Sequence, residues 1–102
     1  MPSAAVRDQQ LAAALQRSET LGNLLQRLRE SRSRLDAVGP LLSAGLRAGV
    51  RAGPLDDQAW VLLADNNAVA AKLRQLLPQL AQTLTAAGWA ERVLKVKVLP
   101  RA

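Results

Sequence analysis

The segment from residue 59 to residue 100 constrains the fold most strongly, because two strand-like runs lie at its ends. The run AWVLLAD (59–65) is almost entirely apolar, which predicts a central strand covered on both faces, with Trp60 in the core. The alternating run RVLKVKVLP (92–100) predicts another strand. Since a helical segment separates the two runs, they can lie parallel in one sheet.

An amphipathic helix is predicted between these strands, with Asn66 or Asn67 as its N-cap. Its apolar residues recur at helical spacing; they are Val69, Leu73, Leu76, Leu77, Leu80 and Leu84. Pro78 falls inside this pattern, and the apolar stripe keeps its register across it. A kink or a restart is therefore predicted at Pro78 rather than a loop, and Gly88 predicts the end of the helix.

Leucines at helical spacing also mark the first third of the chain. They predict a helix that begins near a Ser18 or Thr20 N-cap and stops or kinks at Gly39-Pro40. The leucines of this stripe are Leu21, Leu24, Leu25, Leu28 and Leu35.

The run LLSAGL (41–46) can continue the preceding helix by one more turn, and the run GLRAGVRAGP (45–54) then predicts an edge strand that Gly53-Pro54 terminates. The residues that would point inward are Ala48, Val50 and Ala52. Those that would point outward are Arg47, Gly49 and Arg51. The following LDDQ (55–58) predicts the turn into the second strand.

Together these elements predict an α+β fold in the order αββαβ, with a three-stranded sheet and helices packed on one face. The length of 102 residues favours one domain. We assign that domain to residues 21–102. Residues 1–20 are predicted to form an N-terminal extension or a short helix, since a small-residue helical pattern covers residues 5–17.

Cysteine, histidine and tyrosine are all absent from the sequence. The usual nucleophiles, bases and metal ligands are therefore missing, and the adjacent Asp56 and Asp57 are explained as turn residues. We predict that the protein is not an enzyme and has no catalytic residue, no cofactor and no metal site. Neither a secretory signal pattern nor a membrane-spanning apolar run occurs, which predicts a cytoplasmic location.

The formal net charge is +6, and 11 of the 14 basic residues are arginine, which favours a polyanionic partner. Cations on the outward side of the first and last strands would share the face that the helices leave open, and two more lie near the start of the last helix. The predicted nucleic-acid-binding residues are Arg47, Arg51, Lys72, Arg74, Lys95 and Lys97. For the two strand lysines, protection of a sheet edge against pairing is the alternative.

A second basic cluster is the run RLRESRSR (27–34) in the first leucine-rich helix. One interpretation is a solvated helix face. The other is a surface that docks on an acidic protein, because arginine is common at protein interfaces. Its residues would be Arg27, Arg29, Arg32 and Arg34, around the exposed part of the leucine stripe.

Several motifs follow one another in a distinctive order between residues 21 and 99. A leucine-rich helix ends near a proline; then come a strand, an acidic turn and a strand that ends in a small polar pair. The next piece is AVAAKLRQLLPQL (68–80), of the type A-x-x-L-R-x-x-x-P-x-L, and the last strand is RVLKVKVL. This order resembles the conserved domain of the DciA family of bacterial replicative-helicase loaders, with Val69 where many members carry tryptophan.

The resemblance implies a K-homology-like αββαβ fold, without the G-x-x-G nucleotide clamp of complete K-homology domains. It also implies a nucleic-acid-binding adaptor that binds or loads the hexameric bacterial replicative helicase during DNA replication. The expected partners are this helicase and single-stranded or branched DNA, in a nucleoid-associated cytoplasmic setting with no membrane and no small-molecule substrate. The alternative function is a protein–protein interaction module without nucleic-acid binding.

Overall fold

The structure, a computed structural model, describes residues 19–100. Its elements are α1 (Glu19–Val38), a 3-10 turn (Gly39–Leu41), α2 (Ala44–Ala48), β1 (Val50–Leu55), β2 (Ala59–Ala64), α3 (Asn67–Ala86) and β3 (Val93–Val98). The helix predicted over residues 5–17 lies outside the described residues. The domain boundary predicted at residue 20 stays a prediction.

The three strands form one mixed sheet in the order β1-β2-β3. β1 and β2 are antiparallel, because a short turn joins them, whereas β2 and β3 are parallel, because α3 crosses over between them. The predicted α+β class, the three-stranded sheet with helices packed against it and the central position of β2 are confirmed.

The core lies between one face of the sheet and the two long helices. Trp60, Leu62 and Ala64 point to this face from β2 and are 0% exposed, which confirms Trp60 as a core residue. The helices contribute Leu35, Val38, Leu73, Leu80 and Leu84 to the same cluster. Because successive side chains of a strand alternate, Val61 and Leu63 project from the opposite face of the sheet.

A buried chain of hydrogen bonds fixes α1 to the first two strands. The Trp60 Nε1–H donates to Ser31 Oγ at 2.8 Å, and the Ser31 hydroxyl donates to the Gly53 carbonyl at 2.6 Å. Ser31 is only 2% exposed, and burial of its hydroxyl is tolerated because both neighbours satisfy it.

The long helix α3 begins at the predicted cap and runs without interruption through Pro78. Asn66 is the N-cap, and its side chain accepts a hydrogen bond from the Val69 N–H at 2.9 Å. The restart considered at Pro78 does not occur, since α3 extends over twenty residues to Ala86. Buried leucines on both sides of Pro78 hold the helix against the sheet, which offsets the lost backbone hydrogen bond. Gly88 follows with φ of 92°, as predicted for the end of the helix.

The predicted edge strand begins too early, because Arg47 and Ala48 belong to α2. The helical turn predicted for residues 41–46 lies partly in this same helix. Ser43 is the N-cap of this short helix, and its hydroxyl accepts a hydrogen bond from the Leu46 N–H at 3.2 Å. β1 therefore begins only at Val50, and Arg47 belongs to a helix rather than to the sheet. The serine cap is the local signal that favours the helix.

The predicted end of the first strand at Gly53-Pro54 is also wrong, because β1 continues to Leu55. The pairing with β2 shifts register between Ala52 and Leu55, and a bulge of this kind on an edge strand accommodates proline. A Cβ atom on Gly53 would lie 2.6 Å from the Val61 carbonyl oxygen. The bulge therefore depends on glycine, the residue without a Cβ atom.

Candidate nucleic-acid interface

The face of the sheet opposite the helices carries cations on both outer strands. We call it the open face and define it by Arg51 on β1, Val61 and Leu63 on β2, and Lys95 and Lys97 on β3. Arg51 pairs with Leu63, and Leu63 pairs with Lys97, so these three residues form one row across the sheet. Lys95 lies beside Val61 in the next row.

The register fixes the spacing of these charges. Adjacent strands lie about 4.8 Å apart, so Arg51 and Lys97 start about 10 Å from each other, with Leu63 between them. Lys95 and Lys97 are two residues apart on one strand, which separates them by about 7 Å. One nucleic-acid strand carries a phosphate about every 3.4 Å in a duplex and more widely when it is extended, so the three cations can contact neighbouring phosphates.

The lysines of the open face are exposed and available to an anion. Within residues 19–100 neither Lys95 nor Lys97 forms an ion pair. Arg51 has a partner in Asp65, at 3.5 Å between Nε and Oδ1, but its side chain is 69% exposed. An exposed pair of this kind contributes little stability and exchanges readily for another anion.

Arg47 does not join the open face, in contrast to the sequence-based prediction. Its Nη1 donates to the Val50 carbonyl at 3.2 Å, and its Nη2 lies 3.9 Å from Asp36 Oδ1. Since α2 carries Arg47, the side chain reaches the outer edge of β1 beside α1. Arg47 is therefore separated from Lys95 and Lys97 by the width of the sheet.

Lys72 and Arg74 lie on α3, and only Arg74 contacts the sheet. Its Nη2 donates to the Val96 carbonyl at 3.4 Å. The Val93 N–H donates to Gln58 O and the Leu99 N–H to Ala64 O, so even-numbered residues of β3 direct their backbone groups away from β2. Arg74 therefore lies along the outer edge of β3, at the border of the open face. Lys72 is exposed.

The four arginines of the 27–34 run do not form one surface. Arg34 is 1% exposed, so its assignment to a solvated or docking face is wrong. Its Nε donates to Glu30 Oε2 at 2.9 Å, its Nη2 donates to Ala90 O at 3.0 Å, and its guanidinium lies 5.2 Å from the centre of the Trp89 ring. Through these contacts the Arg34 side chain holds α1 to the loop after α3.

The other three arginines of the run remain near the surface. Arg27 forms an ion pair with Asp57 at 3.1 Å, which links α1 to the turn between β1 and β2. Arg29 and Arg32 are exposed. Leucines beside them are also exposed, at 54% for Leu24, 40% for Leu25 and 49% for Leu28, so the first half of α1 keeps much of its apolar stripe uncovered by the other described residues.

The apolar centre of the open face, where Leu63 is half-buried and Val61 is only 9% exposed, was missed by sequence reasoning. The run 59–65 predicted a strand covered on both faces, so Val61 and Leu63 were not considered as part of a binding surface. Alternation along β2 is the signal that could have found them, since it separates these two residues from Trp60 and Leu62.

The turn between β1 and β2 is held by Asp56. Its Oδ1 accepts hydrogen bonds from the Ala59 and Gln58 N–H groups, each at 2.7 Å. These two bonds lower the pKa of the carboxyl group below its ordinary value, and the nearby charges of Arg27 and Lys95 act in the same direction. Asp56 is thus explained by the turn, as the sequence indicated.

Two further facts about the described part of the chain concern membranes and metal ions. No helix there has the length and apolar character needed to cross a bilayer. Residues 19–100 also contain no cluster of three acidic side chains that could hold a metal ion. Neither a family model, nor a curated protein, nor a solved structure matches this chain.

Proposed function

We propose that this protein is a nucleic-acid-binding adaptor that binds or loads the bacterial replicative helicase, as its resemblance to the DciA family implies. The observation that carries the nucleic-acid part is the row of Arg51, Leu63 and Lys97 across the open face, with Lys95 beside it. The element order αββαβ is compatible with the fold that the resemblance implies.

The open face fits contacts to a nucleic-acid backbone rather than readout of a sequence. Its charged groups are flexible cations, which attract phosphates without distinguishing bases. Its centre is aliphatic, and neither tryptophan of the sequence lies on it, so stacking of bases on aromatic rings plays no part. The proposed ligand is single-stranded or branched DNA, bound with a steep dependence on salt concentration.

Salt-dependent binding of a labelled oligonucleotide tests this proposal. The measured quantity is the slope of the logarithm of the binding constant against the logarithm of the salt concentration. If each lysine neutralises one phosphate of a single strand, the double variant Lys95→Gln/Lys97→Gln should make this slope less steep by about 1.4. A matched control, Arg29→Gln/Arg32→Gln, removes two charges from α1 and should leave the slope nearly unchanged. Equal slopes for all three proteins, or equal losses in both variants, would remove the open face as the binding site.

A second candidate function is the protein–protein module without nucleic-acid binding, which the exposed leucines of α1 favour. Replacement of Leu25 and Leu28 by glutamine should abolish capture of the replicative helicase if α1 is the docking surface, because apolar contacts dominate the centre of such interfaces. Co-purification is scored with and without nuclease. Capture that survives nuclease, together with no oligonucleotide binding at low salt, would favour the module over the adaptor.

A further inference from the structure

A basic cleft lies between α1 and the outer edge of β1, on the opposite side of β1 from β2. It has a volume of about 470 Å³ and is lined by Arg32, Leu35 and Asp36 of α1, Arg47 of α2 and the Val50–Ala52 part of β1. We call it the edge cleft. It combines two arginines that the sequence assigned to different surfaces, Arg32 and Arg47.

The floor of the edge cleft presents free backbone groups. The Asp65 N–H donates to Gly49 O at 2.9 Å, and hydrogen-bonded pairs alternate along an antiparallel ladder. Ala52 therefore directs its N–H and C=O away from β2 and toward the cleft, where no side chain of residues 19–100 bonds them. The Val50 carbonyl faces the same way and is occupied by Arg47, at 3.2 Å.

The charge of the edge cleft is positive. Arg32, Arg47 and Arg51 supply three guanidinium groups around the cleft. The carboxylates near them are Asp36 in the lining and Asp65, which pairs with Arg51 at 3.5 Å. Asp36 is 80% exposed and lies 3.9 Å from Arg47, so its pairing is loose. An anionic ligand would therefore find donors on both walls of the cleft.

A peptide fits these features better than a nucleic acid does. The Ala52 carbonyl needs an N–H donor and the Ala52 N–H needs an acceptor, and an extended peptide supplies both, as in strand addition to a sheet edge. A phosphodiester backbone has no donor for the carbonyl. Leu35 lines the cleft but is only 4% exposed, so the peptide would be held by its backbone and its charges rather than by apolar contacts.

We propose that the edge cleft binds an extended acidic segment of a partner protein, which pairs with β1 at Ala52 and places carboxylates against Arg32 and Arg47. This site is separate from the open face, where nucleic acid is proposed to bind. Arg51 lies at the border of the two, so a partner in the cleft and a strand on the open face would meet there.

The test uses two fluorescein-labelled peptides, GEVEVEVG and its glutamine counterpart GQVQVQVG, in anisotropy titrations at low salt. The acidic peptide should bind at least about tenfold more tightly. The variant Arg32→Gln/Arg47→Gln should weaken it about tenfold, since each exposed charge pair contributes about three- to fivefold. The charge-matched control Arg29→Gln/Lys72→Gln should bind as the unchanged protein does.

Two measurements examine the backbone pairing. Ala52→Pro removes the outward N–H, a change that edge strands tolerate, and should weaken the acidic peptide while circular dichroism stays unchanged. An acidic peptide N-methylated at alternate residues leaves the protein intact and should lose binding in one of the two methylation registers. Unweakened binding to both methylated peptides would overturn strand addition even if Ala52→Pro fails to fold.

The outcomes separate this proposal from the nucleic-acid function. The edge cleft is supported if Arg32→Gln/Arg47→Gln loses peptide binding while its binding of an oligothymidine is unchanged. This result holds whether or not Lys95→Gln/Lys97→Gln weakens DNA binding. If the acidic peptide does not bind and the oligothymidine weakens in Arg32→Gln/Arg47→Gln, the cleft belongs to nucleic acid and the proposal is overturned.

Discussion

Removal of the Arg34 side chain should destabilise the protein more than removal of any other arginine of the 27–34 run. Arg34 is 1% exposed and connects α1 to the loop after α3 through three contacts. It bonds Glu30 one turn earlier in α1, the Ala90 carbonyl in the loop after α3, and the face of Trp89. Arg34→Ala removes all three contacts and leaves space beside the tryptophan.

The expected cost follows from the partners that remain. Hydrogen bonds to a charged group contribute about 1.5 kcal/mol each at the low end of their range. The low end applies here because the Glu30 side chain is 34% exposed and water can replace part of its contact. The cation–π contact adds about 0.5 kcal/mol. The free energy of unfolding should therefore fall by about 3.5 kcal/mol, which corresponds to a decrease in Tm of at least about 14 °C for a domain of this size.

Urea denaturation measures this cost directly, as a shift of the midpoint at constant m-value. Arg29→Ala, an exposed arginine on the same helix, is the matched control and should change the free energy of unfolding by less than about 0.5 kcal/mol. Arg34→Met keeps the length of the side chain, and Glu30 and Ala90 can reach water, so it should recover about half of the loss. A cost below about 1 kcal/mol for Arg34→Ala would refute the view that Arg34 holds α1 to the loop.

Two further predictions concern β1 and its turn. Gly53→Ala should lower the free energy of unfolding by about 1–3 kcal/mol, since the new Cβ atom would lie 2.6 Å from the Val61 carbonyl oxygen. The control is Gly45→Ala, where a Cβ atom would have no atom within 4 Å. Equal stability of the two variants in urea would contradict the steric argument. Asp56→Ala should lower Tm at neutral pH and flatten the acid limb of the Tm–pH curve. The native-state pKa of Asp56 lies below its ordinary value of 3.8. The stabilisation that the Asp56 carboxylate gives is therefore present above pH 3.8 and disappears as the pH falls through the native-state pKa. An identical acid limb in Asp56→Ala and the unchanged protein would contradict this prediction.

The parts of the fold that the sequence predicts are those with distinctive apolar patterns. The stripe of α3 determines its own element, because it matches only the helical period over many residues. The apolar run of β2 has no such period, and its short length between turn residues is what favours a buried strand. Residues 45–53 carry small residues and alternating arginines, which fit a helix or a strand equally well. There the decision depends on the Ser43 cap and on close contact of Gly53 with β2, and tertiary packing overrides the local pattern.

The site was only partly predictable for a related reason. Arg51, Lys95 and Lys97 were placed on one face correctly, because alternation along strands and the pairing of three strands are enough to place them. Arg34 was misplaced, because its partner Ala90 is 56 residues away along the chain. The helical period places Arg34 off the leucine stripe, and nothing nearby in the sequence indicates that a loop covers that side of α1.

Protection of the sheet edge, the alternative role for Lys95 and Lys97, fits the outer edge of β3 poorly. The backbone groups exposed there belong to the even-numbered residues, and Arg74 already bonds one of them, the Val96 carbonyl. Pro100 is the next even-numbered residue along this edge, and it has no N–H group to offer a pairing strand. The two lysines instead project from the open face, in the rows that contain Val61 and Leu63. Edge protection needs charge on β3 alone. Contact with an extended polyanion needs cations across the sheet, and Arg51 on the far strand lies in the same row as Lys97.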